Sequence, residues 1–149
     1  AYVEADPVAA ALDRADAMRG DAQALAAAWA GARVLLIDQD GSVLADAGGH
    51  PLDVAAPALL AGVDAALFLG LDADGGAWFA LDADGTDVDA PRRIDLRTAA
   101  AAWPARDSAA FASARATLHW RRRHRYCGAC GGALTFSRGG WLGHCVQCG

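Results

Sequence analysis

Arg121-Arg122-Arg123-His124-Arg125-Tyr126-Cys127-Gly128-Ala129-Cys130-Gly131 is followed, with fourteen residues between Cys130 and Cys145, by Cys145-Val146-Gln147-Cys148-Gly149. These two segments hold all four cysteines of the chain, as two CxxC pairs. The spacing reads as one tetrahedral four-cysteine site, Cys127, Cys130, Cys145 and Cys148, with zinc as the expected metal. A glycine follows the second cysteine of each pair (Gly131 and Gly149). Glycine there tolerates positive φ and lets backbone N–H groups turn toward the thiolates. Between the knuckles, Leu134-Thr135-Phe136 and Trp141-Leu142-Gly143-His144 read as two strands joined by a tight turn at Gly139-Gly140. The expected unit is a four-cysteine zinc ribbon over residues 123–149.

Four good thiolates leave no open coordination position, so the expected zinc is structural, one per chain. His124 and His144 flank the knuckles and read as ordinary ribbon residues. An iron site can use similar knuckles, and spacing alone does not separate it from zinc. Two disulfides would suit a secreted protein, but nothing in the sequence looks like a signal peptide.

The 149 residues are enough for one domain with a real core plus a small appendage. No run of 18 apolar residues is present, so no membrane span is expected. The chain starts at Ala1 without an initiator methionine, which reads as processing or truncation. Charge is split along it. The segment through Asp107 carries all 18 acidic residues and seven of the 13 basic ones; the remainder carries six arginines and no acid. Such a basic end marks either a nucleic-acid or phosphate contact or a tail that packs on the acidic body. Trp120 and Tyr126 bracket Arg121–Arg125 and admit the same two readings, base stacking or docking of the tryptophan on the body.

Upstream, the pattern is mixed. Residues 4–31 read as helical, with Val8, Leu12, Ala15 and Met18 at helical spacing, and Asp21 capping a second helix through Leu25 and Trp29. Val34–Ile37 and Val43-Leu44 form a hairpin around Asp38–Gly41. Asp38 and Asp40 read as turn residues rather than paired catalytic carboxylates. A short helix through Ala58-Leu59-Leu60 is expected after Pro57. Ala66–Leu71, apolar on both faces, reads as a central strand, and Trp78–Leu81 returns from it. The turns beginning at Asp72 and Asp82 open like calcium loops. Position 12 of each is Ala83 or Arg93, not the glutamate calcium needs. An alanine-rich helix ends near Trp103, and Asp107 or Ser108 is expected to cap a longer one with Phe111, Ala114, Leu118 and Arg122 on one stripe. The fold class is thus α+β: a mixed sheet and helix domain over residues 1–122, then the ribbon.

The run Ala114-Arg115-Ala116-Thr117-Leu118-His119-Trp120, the arginine cluster, the first CxxCG and the Gly-Gly-Trp before the second closely resemble the bacterial NADH pyrophosphatases of the Nudix superfamily. Leu67–Asp72, Trp78-Phe79-Ala80 and Asp95-Leu96-Arg97 also look like their N-terminal domain. The resemblance implies a cytoplasmic, homodimeric hydrolase. It would cleave NADH or NAD⁺ into NMN(H) and AMP and, in some members, remove an NAD cap from RNA. It places Cys127, Cys130, Cys145 and Cys148 on the family's zinc ligands. Catalysis there uses Mg²⁺ or Mn²⁺ held by glutamates of the Nudix box, but this chain has a single glutamate, Glu4. No catalytic or cofactor-binding residue is therefore expected in it, and a catalytic domain is expected downstream. The alternative is a stand-alone zinc-ribbon adaptor that binds RNA or a protein partner. A Nudix box or a stop codon in the reading frame after Gly149 separates the two.

Overall fold

The computed structural model describes residues 12–59 and 62–149. In chain order it has α1 (Asp16–Arg19), α2 (Ala22–Trp29), β1 (Arg33–Ile37), β2 (Val43–Ala45), β3 (Leu67–Leu71), β4 (Ala77–Asp82), β5 (Arg92–Ile94), α3 (Leu96–Ala102), α4 (Ala105–Arg123), β6 (Leu134–Ser137) and β7 (Leu142–Cys145). Five strands form one mixed sheet in the order β3-β4-β1-β2-β5, and β6 and β7 form a separate hairpin. The β1–β4 pair is parallel and the other pairs antiparallel. The α+β expectation is met.

Alternation along each strand makes two cores. Leu35, Ile37, Val43, Trp78 and Ala80 face Phe111, Ala114 and Leu118 of α4. Val34, Leu36, Phe68, Phe79 and Leu81 face the other side, where Leu25 of α2 is buried and Trp29 meets Phe79 edge-on at 5.1 Å. Asp21 caps α2 as read, accepting hydrogen bonds from the N–H groups of Gln23 and Ala24, both at 3.1 Å.

The Asp-rich turns are turns. Asp38 Oδ1 accepts from the N–H groups of Asp40 (3.0 Å) and Ser42 (2.9 Å), and Asp72 Oδ1 from those of Asp74 (3.0 Å) and Gly76 (2.8 Å). Asp38 does more than turn the chain. Its buried Oδ2 accepts from Arg93 Nη1 at 2.7 Å. Burial pushes the Asp38 carboxyl up, but Arg93 and the two N–H groups hold it below its ordinary value. A depressed folded pKa gives stability that is present above the unfolded value, about 3.9, and lost as pH falls through the folded one. Asp38→Asn is expected to cost about 1.5–3 kcal/mol near neutrality, as for other hydrogen bonds to charged groups. It should also make the acid decline shallower. Urea midpoints at pH 7 and 3 check this; an unchanged difference between the two would refute it.

Four expectations are corrected. Residues 1–11, with Val8, lie outside the described residues, but Leu12 to Ala15 do not continue a helix. Asp13 bridges Leu71, Ala15 has φ 44°, and α1 is a single turn. Alanine-rich spacing matched a helix, while pairing with the sheet edge won. The segment after Pro57 is a 3-10 turn at Ala56–Ala58, and Leu60 lies outside the described residues. The long helix starts at Ala105 behind Pro104, with no side-chain cap. Proline presets φ, and Asp107 sits buried in the first turn, where a carboxylate favours the helix dipole.

The fourth correction concerns β3, which is an edge strand, not a central one. Its outer side is closed by two other segments. Asp13 and Leu71 exchange backbone hydrogen bonds at 2.9 and 2.8 Å. At the other end the ribbon turn seats on Phe68: Phe68 N–H donates to the Gly139 carbonyl at 2.8 Å, and Trp141 Nε1–H donates to the Phe68 carbonyl at 2.6 Å.

Candidate metal centre

α4 delivers the chain to the ribbon. Its last buried residue, Leu118, is one turn before Arg122, which ties the helix end to the sheet. Arg122 Nε donates to Asp82 at 2.9 Å, and Nη2 donates to the Asp38 and Ile37 carbonyls at 3.1 and 3.3 Å. Arg121 Nη2 donates to the Ala65 carbonyl at 3.3 Å, and the guanidinium lies 4.9 Å from the Phe136 ring centre. Burial lowers its pKa. Two members of the arginine run therefore pack on the body and the ribbon. Trp120 packs edge-on against Phe136 at 5.5 Å, so it docks on the ribbon rather than on the body. Arg123, Arg125 and Tyr126 stay exposed.

The two knuckles then converge. The four sulfurs of Cys127, Cys130, Cys145 and Cys148 lie within 4.8 Å of one another and could hold a metal ion. The β6–β7 register, Leu134 opposite Cys145, brings the second pair beside the first. Each knuckle closes on itself: Gly131 N–H donates to the Cys127 carbonyl at 2.9 Å and Gly149 N–H to the Cys145 carbonyl at 3.2 Å. Gly131 and Gly149 have φ of 75° and 88°, the left-handed conformation expected of them. Backbone N–H groups aim at the sulfurs, from Ala129 to Cys127 and from Gly132 to Cys130 at 3.4 Å, and from Gln147 to Cys145 at 3.3 Å.

This geometry polarises the four thiols. The N–H groups of Cys148 and Gln147 draw Cys145 down to about 6. Crowding by the other sulfurs, Cys127 first, pushes Cys148 up to about 12. Four thiolates this close repel unless a cation sits among them, and a soft, all-sulfur tetrahedral donor set fits zinc or iron. The N–H···S bonds are the outer support such a site needs. His124 and His144 are exposed and outside the sulfur cluster, as expected.

The described residues offer no other group of three or more His, Cys, Asp or Glu side chains suited to a metal. Residues 10–120 match the NADH pyrophosphatase-like rudimentary NUDIX domain. The chain belongs to that family. The match takes in the five-stranded sheet and α1–α4 up to Trp120 and stops before the first cysteine. No curated protein matches the sequence. Within this NADH pyrophosphatase-like domain, no helix among the described residues is long and apolar enough to cross a membrane.

What sequence reasoning missed is the seating of the ribbon. Gly139 and Trp141 were read as hairpin residues, yet both contact β3. A Cβ on Gly139 would lie 2.8 Å from Phe68 Cβ, so only glycine lets the turn approach so closely. The signal was present in Gly139-Gly140-Trp141, two glycines beside a large aromatic, but its target strand was not.

Proposed function

We propose that this chain is the N-terminal domain and zinc ribbon of a Nudix hydrolase. The intact enzyme would split the diphosphate of NADH or NAD⁺, or the NAD cap of an RNA, into NMN(H)- and AMP-type products. The family match over residues 10–120 carries this reading. In it, Cys127, Cys130, Cys145 and Cys148 bind one structural Zn²⁺, which crosslinks the two knuckles and takes no part in hydrolysis. Residues 1–122 form the N-terminal domain and 123–149 the ribbon. The Mg²⁺ or Mn²⁺ of the reaction belongs to a separate catalytic domain, and the intact protein is a cytoplasmic homodimer.

The Nudix box holds its catalytic metal on several glutamates, and Glu4 is the sole glutamate of this chain. The 149-residue chain alone is expected not to hydrolyse NADH with Mg²⁺ or Mn²⁺, whereas the same chain joined to a Nudix catalytic domain should release NMNH and AMP. Chromatography of the products decides it: metal-dependent release of both by the chain alone would sink the non-catalytic reading. The adaptor reading is weaker because Arg121 and Arg122, half of the basic tail's densest run, are engaged within the chain.

A further inference from the structure

Cys130 and Cys148 are exposed, while Cys145 is buried. Cys130 Sγ lies 3.3 Å from Cys145 Sγ, and Cys127 Sγ lies 3.7 Å from Cys148 Sγ. Both pairs cross from one knuckle to the other. Cys130 sits on a loop that stands clear of its surroundings. Gly128, Ala129 and Gly131 are exposed, and a Cβ on Gly128 or Gly131 would meet nothing within 4 Å. Cys145 is held in place. It belongs to β7, and its sulfur accepts from the N–H groups of Gln147 and Cys148 at 3.3 and 3.4 Å. A Cβ on Gly132 would come within 3.0 Å of that sulfur, so glycine keeps the space beside it open. An accessible thiol with a second, fixed thiol at contact distance is the arrangement of an oxidation site with its resolving partner.

We propose that Cys130 is a site of oxidation by hydrogen peroxide and that Cys145 resolves it into a Cys130–Cys145 disulfide. In the first step the Cys130 thiolate attacks one peroxide oxygen. An S–O bond forms, the O–O bond breaks, the other oxygen leaves as hydroxide, and Cys130 becomes a sulfenic acid. In the second step the Cys145 thiolate attacks the Cys130 sulfur. The S–S bond forms and the S–O bond breaks, releasing a second hydroxide. Two thiolates lose two electrons, and one peroxide gains them. The reacting sulfurs belong to different knuckles, so the product ties together the same two segments that a metal would. Only Cys127 and Cys148 then remain as ligands, half of a tetrahedral set and too few to retain the metal. This last consequence rests on the structural-zinc reading; the disulfide rests on the sulfur geometry alone.

Peptide mapping of the 149-residue chain after brief exposure to a slight excess of hydrogen peroxide tests it. A parallel sample contains dimedone, which traps sulfenic acid, and a chromogenic chelator reads released zinc. The first dimedone adduct is expected on Cys130. Without dimedone the expected product is an intramolecular Cys130–Cys145 disulfide, with bound zinc falling from about one per chain to none. Dithiothreitol with added Zn²⁺ should restore both the thiols and the metal. A purified chain that carries no zinc yet forms the Cys130–Cys145 bond would count against the zinc reading and for this one. A first adduct on Cys148, a disulfide within one knuckle or between Cys127 and Cys148, cross-linked dimers as the main product, or thiols left intact would overturn the proposal.

Discussion

Replacing Cys145 with serine is expected to release the metal, unfold the knuckles and uncover the edge of β3, while β1 and β4 keep their protection. The ribbon has little of its own to hold it. Leu142 and Val146 are exposed, and Leu134 and Phe136 are only partly covered. So small a unit cannot offset its ordering entropy by burial. In the structural-zinc reading proposed above, metal binding would supply its folding free energy, on the order of 10 kcal/mol for such sites. Cys145 is the most consequential of the four. It is the buried cysteine, it lies in β7, and its sulfur receives N–H groups from both Gln147 and Cys148.

The sheet makes the result readable. Phe68 N–H donates to the Gly139 carbonyl at the sheet edge, whereas β1 lies between β4 and β2. Amide exchange should therefore accelerate at Phe68 and in β6–β7 and stay slow at Val34 to Ile37. Chelation of the wild type should give the same pattern, and metal analysis should fall from one zinc per chain to none. Zinc retained near one equivalent in the variant, or a Phe68 amide still protected after chelation, would show that the four thiols do not hold the ribbon together.

The parts of this protein that could be read from sequence are the local ones. Two CxxCG units fix a sulfur cluster within a few residues each, and a hairpin of the right length brings them together. The Asp-Gly turns and the Asp21 cap were legible for the same reason: a carboxylate bonds its own neighbouring N–H groups. What failed depends on strand order. Leu67–Leu71 is apolar on both faces, as a central strand is, but β3 owes that burial to a helix layer, a bridge to Asp13 and the tip of the ribbon, 70 residues away. The N-terminal stretch failed because alanine fits any period. Leu12, Ala15 and Met18 have helical spacing, and the hydrogen bonds with Leu71 overrode it. The arginine run left two readings open, and acceptors remote in sequence, Asp82 with the Ile37 and Asp38 carbonyls for Arg122 and the Ala65 carbonyl for Arg121, direct the two inward.

Phe68→Ala is expected to cost about 3–5 kcal/mol of folding stability, the usual range for a fully buried phenylalanine. That is a large share of the roughly 5–15 kcal/mol a domain possesses. Phe68 is 0% exposed, its ring sits 5.2 Å from that of Phe79, and Arg19 lies over it at 5.8 Å. Gly139, which approaches Phe68 Cβ most closely from the ribbon, has no side chain to fill the space. Yet the hydrogen bonds that seat the ribbon on β3 use the Phe68 backbone, which alanine retains. The variant should thus lose stability while keeping one metal per chain, the converse of Cys145→Ser at the same junction. Urea denaturation with metal analysis checks both. The exposed Leu142→Ala serves as a control and should move stability by no more than about 0.5 kcal/mol. A loss under about 1 kcal/mol for Phe68→Ala would mean that the β3 edge is not part of the core. Loss of metal would mean that sheet edge and sulfur cluster fold as one unit.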